Sequence, residues 1–538
     1  MTIRELPVVD AGLLTRPTAA RAAVRAPDAL AEFATEDLVL PRFHVWTLGC
    51  QMNRSDSEEM AGALLAAGCT EAASLEAADL VVINTCAIRE AAEQKVIGRM
   101  GAIGRLKAAK PGLQVVLTGC AVRADNVASL PRRYPAVDLF LRPDQEPELV
   151  ARLGLASITA PGVLQAGAAP EFQRVGVSIA ATADHLPASR AAAVGEDRVA
   201  RGSATQAWLP VIYGCDKTCT YCIVPFSRGP ERSRPFDEVV NEARALATRG
   251  YREVTLLGQN VNSYGHDLPP EPRFAAVRGQ RTLGRRLDLD GRPDIAALLR
   301  AIDGLRTADG QPAIPRLRFI TSHPWDLTER LIEAMATSPS VCEHLHLPVQ
   351  SGDDAVLHRM GRQYTVEAYL GLVERLRSAI PGISLTTDVI VGFCGESETQ
   401  FEASMALLRA VGYDQVFAAA FSPRPGTPAA RLADDVPAID KRRRLNALLA
   451  AQEAIGLERN QRWVGRQTEV LVESVQAPRV HDHDDGEASD DDEGPRLRGR
   501  NRENRLVHVD GDGSLVGQLV AVQIERAGPY ALVGRRLE

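Results

Sequence analysis

Three of the nine cysteines in this 538-residue chain lie within eight positions of one another. Cys215, Cys219 and Cys222 have the spacing C-x3-C-x2-C in the stretch YGCDKTCTYC. Three thiolates can hold three irons of a [4Fe–4S] cluster and leave the fourth iron open to a small molecule. A closed structural zinc site needs four ligands, and Asp216 is a poor partner for soft thiolates. The spacing therefore favours a cluster with one open iron.

Three further cysteines each lie at the end of a segment that is predicted to be a buried strand. Cys50 ends RFHVWTLGC, Cys86 ends DLVVINTC and Cys120 ends QVVLTGC. The intervening segments predict helices, the first starting at the capping pattern Ser55–Glu58. This βαβαβ order implies a parallel sheet, whose carboxyl strand ends share one ligand-binding edge. We therefore expect a shared metal site, although each cysteine alone could be a small buried apolar residue.

The first trio needs its own scaffold, and residues 207 to 450 supply one. Helical segments there separate six strand-like stretches: LPVIYGC, EVTLLGQN, RLRFIT, HLHLPV, LTTDVIVGF and QVFAAAF. Six such units predict a partial (β/α)6 barrel with chemistry at the C-terminal ends of its strands. Residues 267 to 292, rich in Pro, Gly and Arg, interrupt the rhythm and are predicted to be a surface insertion.

Short strands and turns in residues 461 to 538 predict a small β-barrel. Before its second strand comes the run HDHDDGEASDDDEG, which is typical of a solvated loop. The segment RLRGRNRENR, residues 496 to 505, then places five arginines in ten positions. It fits either phosphate contacts or an exposed loop that balances the acids. Residues 1 to 40 and 151 to 206 are expected to be an extension and a linker.

Composition limits the remaining classes of function. The net charge of −7 argues against broad non-specific nucleic-acid binding but allows a local basic patch. An odd number of cysteines in a large chain favours metal binding or catalysis over a disulfide framework. We find no apolar run long enough to span a bilayer and no secretory signal in the first forty residues.

Long motifs in this chain resemble those of the radical S-adenosylmethionine (SAM) methylthiotransferases. They keep the family's order from residue 41 onward: TLGCQMNRSDSE, NTCAIRE, LTGCAVR, YGCDKTCTYCIVPFSRGPERSRP, LLGQNVNSYG, TSHP, HLPVQSG, DVIVGFCGE and SPRPGTPAA. The resemblance implies an N-terminal methylthiotransferase domain at 41 to 150 and a radical SAM core at 207 to 450. It also implies that residues 461 to 538 form a TRAM domain, which is an RNA-binding module.

The resemblance also implies the chemistry. Cys215, Cys219 and Cys222 would hold a [4Fe–4S] cluster whose open iron binds SAM, and the other trio an auxiliary [4Fe–4S] cluster that carries sulfur. Two SAM molecules would be used per turnover, one to methylate the sulfur and one to generate a radical. An aromatic C–H cannot be removed by a side-chain base near neutral pH, so no catalytic acid or base is expected among the side chains.

The motifs GCQMN and CDKTCTYCIVPFSRGPERSRP are typical of the tRNA branch that acts on N6-isopentenyladenosine. Methylthiolation of threonylcarbamoyladenosine, typically with GCKVN, and of a ribosomal protein, typically with GCPKN, are the alternatives. The segment GRNRENRLVHV resembles the tRNA-branch pattern, which favours RNA contact by this segment. Arg500, Asn504 and Arg505 are expected to contribute first, followed by Arg496 and Arg498. A non-catalytic RNA-binding or iron-storage module is a further alternative that six matching cysteines disfavour.

Further expectations follow from the resemblance. Polar groups at strand ends would contact SAM, namely Gln259, Asn260, Asn262, Ser322 and Gln350, and so would Tyr221, the aromatic residue before Cys222. Hydrogen bonds within loops are the alternative role for each of the five polar residues. A flavodoxin- or ferredoxin-type electron donor, a sulfur donor, a monomeric state and a cytoplasmic location are also expected.

Two positions depart from the family pattern. Thr218 stands where Phe is usual, and Cys394 stands where Pro is usual. Cys394 is expected to be a buried non-ligating residue, although its strand end could reach the SAM pocket. Cys69 and Cys342 are likewise expected to be buried.

Overall fold

The computed structural model describes residues 40–87, 90–155, 199–283, 286–287, 289–476 and 496–537. The predicted N-terminal extension up to residue 39, most of the predicted linker and the acidic run lie outside the described residues. Within the described part of the chain, no helix is both long and apolar enough to cross a membrane.

The N-terminal unit is the parallel α/β sheet that the sequence predicts. Its strands lie in the order β2-β1-β3-β4-β5, and every adjacent pair is parallel. The elements are β1 Arg42–Leu48, α1 Gln51–Ala66, β2 Thr70–Glu71, β3 Leu80–Thr85, α2 Glu90–Ala109, β4 Gln114–Thr118, α3 Leu130–Arg133, β5 Leu139–Phe140 and α4 Leu149–Arg152.

The start of α1 differs from its prediction. The helix begins at Gln51, directly after Cys50, rather than at Ser55. The Asn53 side-chain oxygen accepts the Cys50 N–H at 3.4 Å, which satisfies a donor at the helix start. Ser57 lies inside the helix instead, where its hydroxyl bonds Thr47 and Asn84. The predicted start at Ser55 was wrong because Asn53 already satisfies the helix start one turn earlier.

The central unit contains the six predicted strands as a split arc. Parallel strands form two sheets, β6-β9-β12 and β13-β14-β15, which a parallel bridge between Leu317 and Val341 joins. The strands are β6 Gln206–Pro210, β7 Ile212–Tyr213, β8 Arg232–Ser233, β9 Glu253–Leu257, β10 Gln280–Arg281, β11 Arg286–Leu287, β12 Arg316–Phe319, β13 His344–His346, β14 Ser384–Val391 and β15 Gln415–Ala420. This confirms the partial (β/α)6 barrel.

Helices cover the outer side of this arc, with apolar residues of strands and helices in one core. They are α5 Val224–Arg228, α6 Phe236–Thr248, α7 Ile295–Asp303, α8 Glu329–Thr337, α9 Asp354–Arg359, α10 Val366–Ala379, α11 Glu398–Val411 and α12 Ala438–Gln461. Short 3-10 turns lie at Pro143–Glu148, Val261–Ser263, Pro272–Phe274, Pro324–Asp326, Pro428–Arg431 and Gly513–Leu515.

The segment 267 to 292 is more than a surface insertion. Phe274, Val277 and Leu289 are buried together and pack against Phe236 of α6. Its strands β10 and β11 form a short antiparallel pair. The apolar residues were hidden among prolines, glycines and arginines, so the sequence pattern did not reveal this small core.

The C-terminal unit is a closed five-stranded barrel, which confirms the predicted fold class. Its strands, in the order β16-β17-β18-β20-β19, are β16 Gln467–Gln476, β17 Arg496–Asn501, β18 Leu506–Asp510, β19 Leu519–Ala527 and β20 Ala531–Arg536. The arginine-rich segment therefore forms strand β17 and the turn after it. Leu497 faces the barrel core and Arg498 faces solvent, as strand alternation requires.

This barrel docks on the N-terminal ends of the central strands. Arg316, the first residue of β12, donates to the carbonyl of Arg500 at 2.6 Å and to that of Glu469 at 2.7 Å. Arg318 donates to the carbonyls of Asn501 and Arg502. The barrel thus lies opposite the C-terminal ends of these strands. The unit boundaries at 41–150, 207–450 and 461–538 stay predictions, because α12 runs continuously across residue 450.

Candidate active site between two cysteine trios

Cys50, Cys86 and Cys120, here called the sheet trio, follow β1, β3 and β4 at one edge of the N-terminal sheet. Cys86 and Cys120 are buried and Cys50 is half-buried. Burial, together with the nearby sulfurs of Cys86 and Cys50, raises the pKa of Cys120 to about 12 although the Arg228 charge acts to lower it. The predicted convergence is therefore present. Buried sulfurs that repel one another's charge need a cation before they can be thiolates.

Gly119 lets the chain turn so that Cys120 reaches this edge. Its φ is +89°, a conformation that side chains rarely adopt. A Cβ atom there would lie 2.4 Å from both the Asn84 side-chain oxygen and the Thr85 carbonyl oxygen. Close approach of β4 to β3 thus requires glycine before the cysteine.

Cys215, Cys219 and Cys222, here called the loop trio, lie in the loop that follows β7. The Cys215 N–H donates to the carbonyl of Gly229 at 3.1 Å, and the Cys222 N–H donates to that of Cys219 at 3.0 Å. Burial raises the pKa of Cys215, and it raises that of Cys222 to about 12. Backbone hydrogen bonds therefore fix the loop, and its thiols are largely shielded from solvent.

Two cationic or polar donors point at Cys219. The Arg362 guanidinium lies 3.6 Å from its Sγ atom, and His323 Nε2 lies 3.7 Å from it. The backbone N–H of Trp325 donates to His323 Nδ1. The proton of the neutral ring therefore lies on Nε2, which faces Cys219 Sγ. Cys219 Sγ therefore has two nitrogen donors within 4 Å.

The two trios face each other across one interface. Arg228, the last residue of α5, donates from Nε to Cys120 Sγ at 3.2 Å. Its Nη2 atom donates to Asp56 of α1 at 2.6 Å. Arg228 therefore bridges the segment of the loop trio and the sheet trio. Beside them, Met52 packs against Tyr213 and Leu257 and seals the contact with apolar surface.

The donor set tests which metal group fits. Among the described residues, only Asp216, Glu231 and His266 bring three ligand atoms within 4.8 Å of one another. In neither cysteine trio do all three sulfurs lie within 4.8 Å of one another. Sulfurs bound to one tetrahedral zinc ion are about 3.8 Å apart. Three thiols in an open triangle, two of them buried in each trio, fit a four-iron cluster better than a single ion.

Comparison with known proteins gives the family. Residues 209–408 match the Radical SAM superfamily, and residues 42–142 match Uncharacterized protein family UPF0004. A tRNA-2-methylthio-N(6)-dimethylallyladenosine synthase of Carboxydothermus hydrogenoformans is 40% identical over 493 residues, which cover 91% of this chain and 98% of that protein. The chain belongs to this synthase family.

Other proteins are similar to this family member. A synthase of the same name from Chloroflexus aurantiacus is 39% identical over 497 residues, covering 92% of this chain and 91% of that protein. A solved radical S-adenosylmethionine methyltransferase, TsrM, from Kitasatospora setae has a TM-score of 0.49 at 15% identity. That likeness covers 83% of this chain and 82% of the other.

The residues predicted to contact SAM fall into two groups in this synthase-family chain. Asn262 Oδ1 and Ser322 Oγ are buried and have no hydrogen-bond partner among the described residues. Such orphaned atoms fit a ligand that is not part of the chain. Asn260, by contrast, donates to Asp326 at 2.6 Å and accepts from the backbone of His323.

Three other predicted SAM contacts have structural partners. The Gln259 side-chain oxygen accepts the N–H of Gly214, just before the loop trio. Gln350, four residues after β13, is buried with φ of +75°, and its N–H donates to the carbonyl of Asp388 at 2.9 Å. Tyr221 meets the ring of Phe393 edge-on. Their roles toward SAM stay predictions, and the strained backbone at Gln350 is typical of functional sites.

Four residues of the site were not singled out from the sequence: Arg228, His323, Arg362 and Thr321. Arg228 and His323 lie in the quoted motifs RGPERSRP and TSHP, so the family pattern could have pointed to them. Thr321 has φ of +72° at the end of β12, and a single sequence carries no sign of this strain. Arg362 resembles an ordinary surface arginine until the fold buries it.

The predicted RNA-contact residues are placed at two different surfaces. Arg505 pairs with buried Asp414 and lies over the Trp463 ring, and Asn504 lies 3.5 Å from His344. These two residues therefore contact the central unit. Arg500 donates to the Asn504 carbonyl in the same region. Arg498 is exposed and Arg496 is half-buried on the outer face of β17.

The remaining cysteines are buried as predicted. Cys394 lies in an apolar cluster with Phe393 and Phe421, and Tyr221 packs against that cluster. Its sulfur has a weak contact with the carbonyl of Ala429 at 4.0 Å. Cys394 therefore supports the wall behind Tyr221.

Proposed function

We infer that the chain methylthiolates carbon 2 of N6-isopentenyladenosine at position 37 of tRNA, next to the anticodon. The product is 2-methylthio-N6-dimethylallyladenosine, as in the name of its relatives. The observation that carries the inference is the pair of facing cysteine trios joined by Arg228. It occurs in a chain that covers 98% of a synthase at 40% identity.

The loop trio is assigned a [4Fe–4S] cluster that binds SAM, and the sheet trio an auxiliary [4Fe–4S] cluster. When bound, these groups supply the sulfur and the radical chemistry that replacement of an aromatic C–H requires. Two SAM molecules are used per turnover. The open triangle of each trio and the orphaned Ser322 and Asn262 atoms support this assignment.

The chain's own residues orient these groups and exclude water. Arg228 donates to Cys120, while Arg362 and His323 face Cys219, so two ligand sulfurs receive fixed donors. Hydrogen bonds of this kind orient metal ligands and tune their electron density. Apolar packing around Met52 and Phe393 closes the sides of the site.

Contact with tRNA is assigned first to the outer face of β17. Arg498 is exposed and Arg496 is half-buried on that face, so both can reach phosphates. Arg500, Asn504 and Arg505 contribute only if tRNA reaches the interface between the C-terminal barrel and the central arc. The module is proposed to be the TRAM domain of this chain.

Several partners follow from this chemistry. A flavodoxin- or ferredoxin-type protein would supply electrons, and a separate system would restore the sulfur. A reducing compartment, the cytoplasm, suits both clusters. The chain is proposed to work as a monomer, because all six cluster cysteines come from one chain.

The decisive experiment compares two tRNA substrates under anaerobic turnover with SAM and a reductant. One tRNA carries isopentenyladenosine and the other threonylcarbamoyladenosine, and nucleosides are measured by mass spectrometry. A gain of one methylthio group on the isopentenyl nucleoside alone is expected. Product from only the other nucleoside would overturn the substrate, and SAM cleavage with neither product would favour the ribosomal-protein alternative.

A further inference from the structure

A second metal-ligand group lies beside the loop trio and contains no cysteine. It consists of Asp216, Glu231 and His266, whose ligand atoms all lie within 4.8 Å of one another. His266 Nε2 is 3.5 Å from Glu231 Oε2 and 3.8 Å from Asp216 Oδ2. These separations are too long for hydrogen bonds. Ligands of one tetrahedral ion at 2.1 Å lie about 3.4 Å apart, which is close to the observed spacing.

The imidazole of His266 is already held as a metal ligand would be. Its Nδ1 atom lies 2.8 Å from the carbonyl oxygen of Ser263. A carbonyl oxygen can only accept, so Nδ1 carries the proton of that hydrogen bond. Nε2 is then turned toward the two carboxylates. A backbone carbonyl on the far ring nitrogen is the usual support of a histidine ligand.

Glu231 supplies an independent sign that a ligand is missing. Its side chain is fully buried, and its Oε2 atom accepts no hydrogen bond from any described residue. The nearest cation, Lys217, lies 4.0 Å from the other carboxylate oxygen and only 2.5 Å from Asp326. A buried carboxylate oxygen without a donor is costly. This one points into the space between His266 and Asp216.

Asp216 completes the group at the solvent side. Its Oδ1 atom accepts the N–H of Glu231 at 3.0 Å, which turns Oδ2 toward His266. The side chain is 44% exposed. Water can therefore reach the open side and complete the coordination.

We propose that Asp216, Glu231 and His266 bind one divalent first-row transition-metal ion. One imidazole and two carboxylates suit Zn²⁺ or Mn²⁺, and the ion compensates the buried charge of Glu231. It ties together three segments: the loop next to Cys215, the residue before β8 and the turn after Tyr264. The ion is thus a structural clamp on the loop trio, and it does not depend on which nucleoside is the substrate.

The test is a Mn²⁺ titration of the reconstituted full-length chain, followed by electron paramagnetic resonance with the clusters oxidised. Mn²⁺ avoids thiolates, so it reports the oxygen and nitrogen site rather than the cysteines. One bound Mn²⁺ per chain is expected. His266→Ala and Asp216→Asn should each weaken Mn²⁺ affinity about tenfold or more.

Asp267→Asn is the matched control. Its carboxylate lies 3.9 Å from His266 Nδ1 and is outside the group of three, so Mn²⁺ affinity should not change. In the same samples, Mn²⁺ should raise the unfolding temperature of the wild type and of Asp267→Asn but not of His266→Ala. If the wild type binds no Mn²⁺, or binds it no better than both ligand variants, the proposal is overturned.

Discussion

The Nε atom of Arg228 lies 3.2 Å from the sulfur of Cys120, although the two residues are 108 positions apart. Arg228 ends the short helix α5, which starts two residues after Cys222. The same guanidinium also pairs with Asp56, whose side chain is fully buried. One side chain from the loop-trio segment thus touches a ligand of the sheet trio and anchors the N-terminal unit. Assembly of the two units and the electronic environment of the sheet trio are coupled through this contact.

Arg228→Lys should lower the reduction potential of the auxiliary cluster. Lysine keeps a positive charge near Asp56 but loses the Nε donor to Cys120, so the ligand sulfur becomes more electron-rich. A shift of tens of millivolts is expected, since one kcal/mol corresponds to roughly 40 mV for one electron. Spectroscopic redox titration of the reconstituted chain measures it.

Arg234→Lys is the control for that variant. Arg234 is equally buried, but its partners are Glu242 and the carbonyl of Pro210 rather than a cysteine. Its cluster potentials should equal those of the wild type. Equal potentials in Arg228→Lys and the wild type would show that the Cys120 contact does not tune the cluster.

Iron content should separate ligand cysteines from buried ones. The reconstituted wild type is expected to hold about eight irons, and Cys120→Ala or Cys215→Ala about four, because each trio holds one cluster. Cys69→Ala and Cys342→Ala are controls, since both residues are buried away from the trios. Both should keep about eight irons. Loss of a whole cluster in either control would place the cluster at different cysteines.

Gly119→Ala should disrupt the sheet trio without touching a cysteine. The added Cβ meets the Thr85 carbonyl at 2.4 Å, and the positive φ adds strain. We expect a loss of about 3 kcal/mol in the free energy of unfolding and loss of auxiliary iron. Chemical denaturation and iron analysis measure the two effects.

Gly154→Ala isolates the strain from the clash. Its φ is +73°, but nothing lies within 4 Å of the added Cβ. A loss of about 1 kcal/mol with full iron content is expected. If Gly119→Ala lost no more stability or iron than Gly154→Ala, the close approach at Cys120 would not matter.

Replacing Arg498 should lower tRNA affinity, whereas replacing Arg505 should lower the stability of the fold. Arg498→Ala removes an exposed charge, so tRNA affinity and its salt dependence should fall while stability stays unchanged. Arg505→Ala removes a partner of buried Asp414, which retains Arg459. About 2 kcal/mol of stability should be lost. Binding isotherms at several salt concentrations and thermal unfolding give both values. A larger affinity loss in Arg505→Ala would make the interface the RNA surface.

The succession of strands along the chain could be predicted from the sequence because hydrophobic patterns are local. Cys50, Cys86 and Cys120 were assigned to one edge since parallel strands share their carboxyl ends. The start of α1 was misplaced because Asn53, rather than Ser55, satisfies a backbone donor at the helix start.

Contacts between distant segments could not be derived from periodicity. Nothing in the sequence around Arg228 indicates its contact with Cys120, which forms only because α5 packs against the N-terminal unit. The arginine-rich segment has the sequence pattern of a charged surface. In the structure, however, Arg505 pairs with Asp414 and so joins the C-terminal barrel to the central unit. Local sequence carries no information about which partner compensates a buried charge.

The most direct measurement of the central claim is a single anaerobic turnover of isopentenyladenosine tRNA by the wild type and by Cys50→Ala. Nucleoside mass spectrometry records the methylthio product, and 5′-deoxyadenosine records SAM cleavage in the same sample. The account predicts product and 5′-deoxyadenosine from the wild type, and 5′-deoxyadenosine without product from Cys50→Ala. Full product from Cys50→Ala would contradict the assignment of sulfur insertion to the sheet trio.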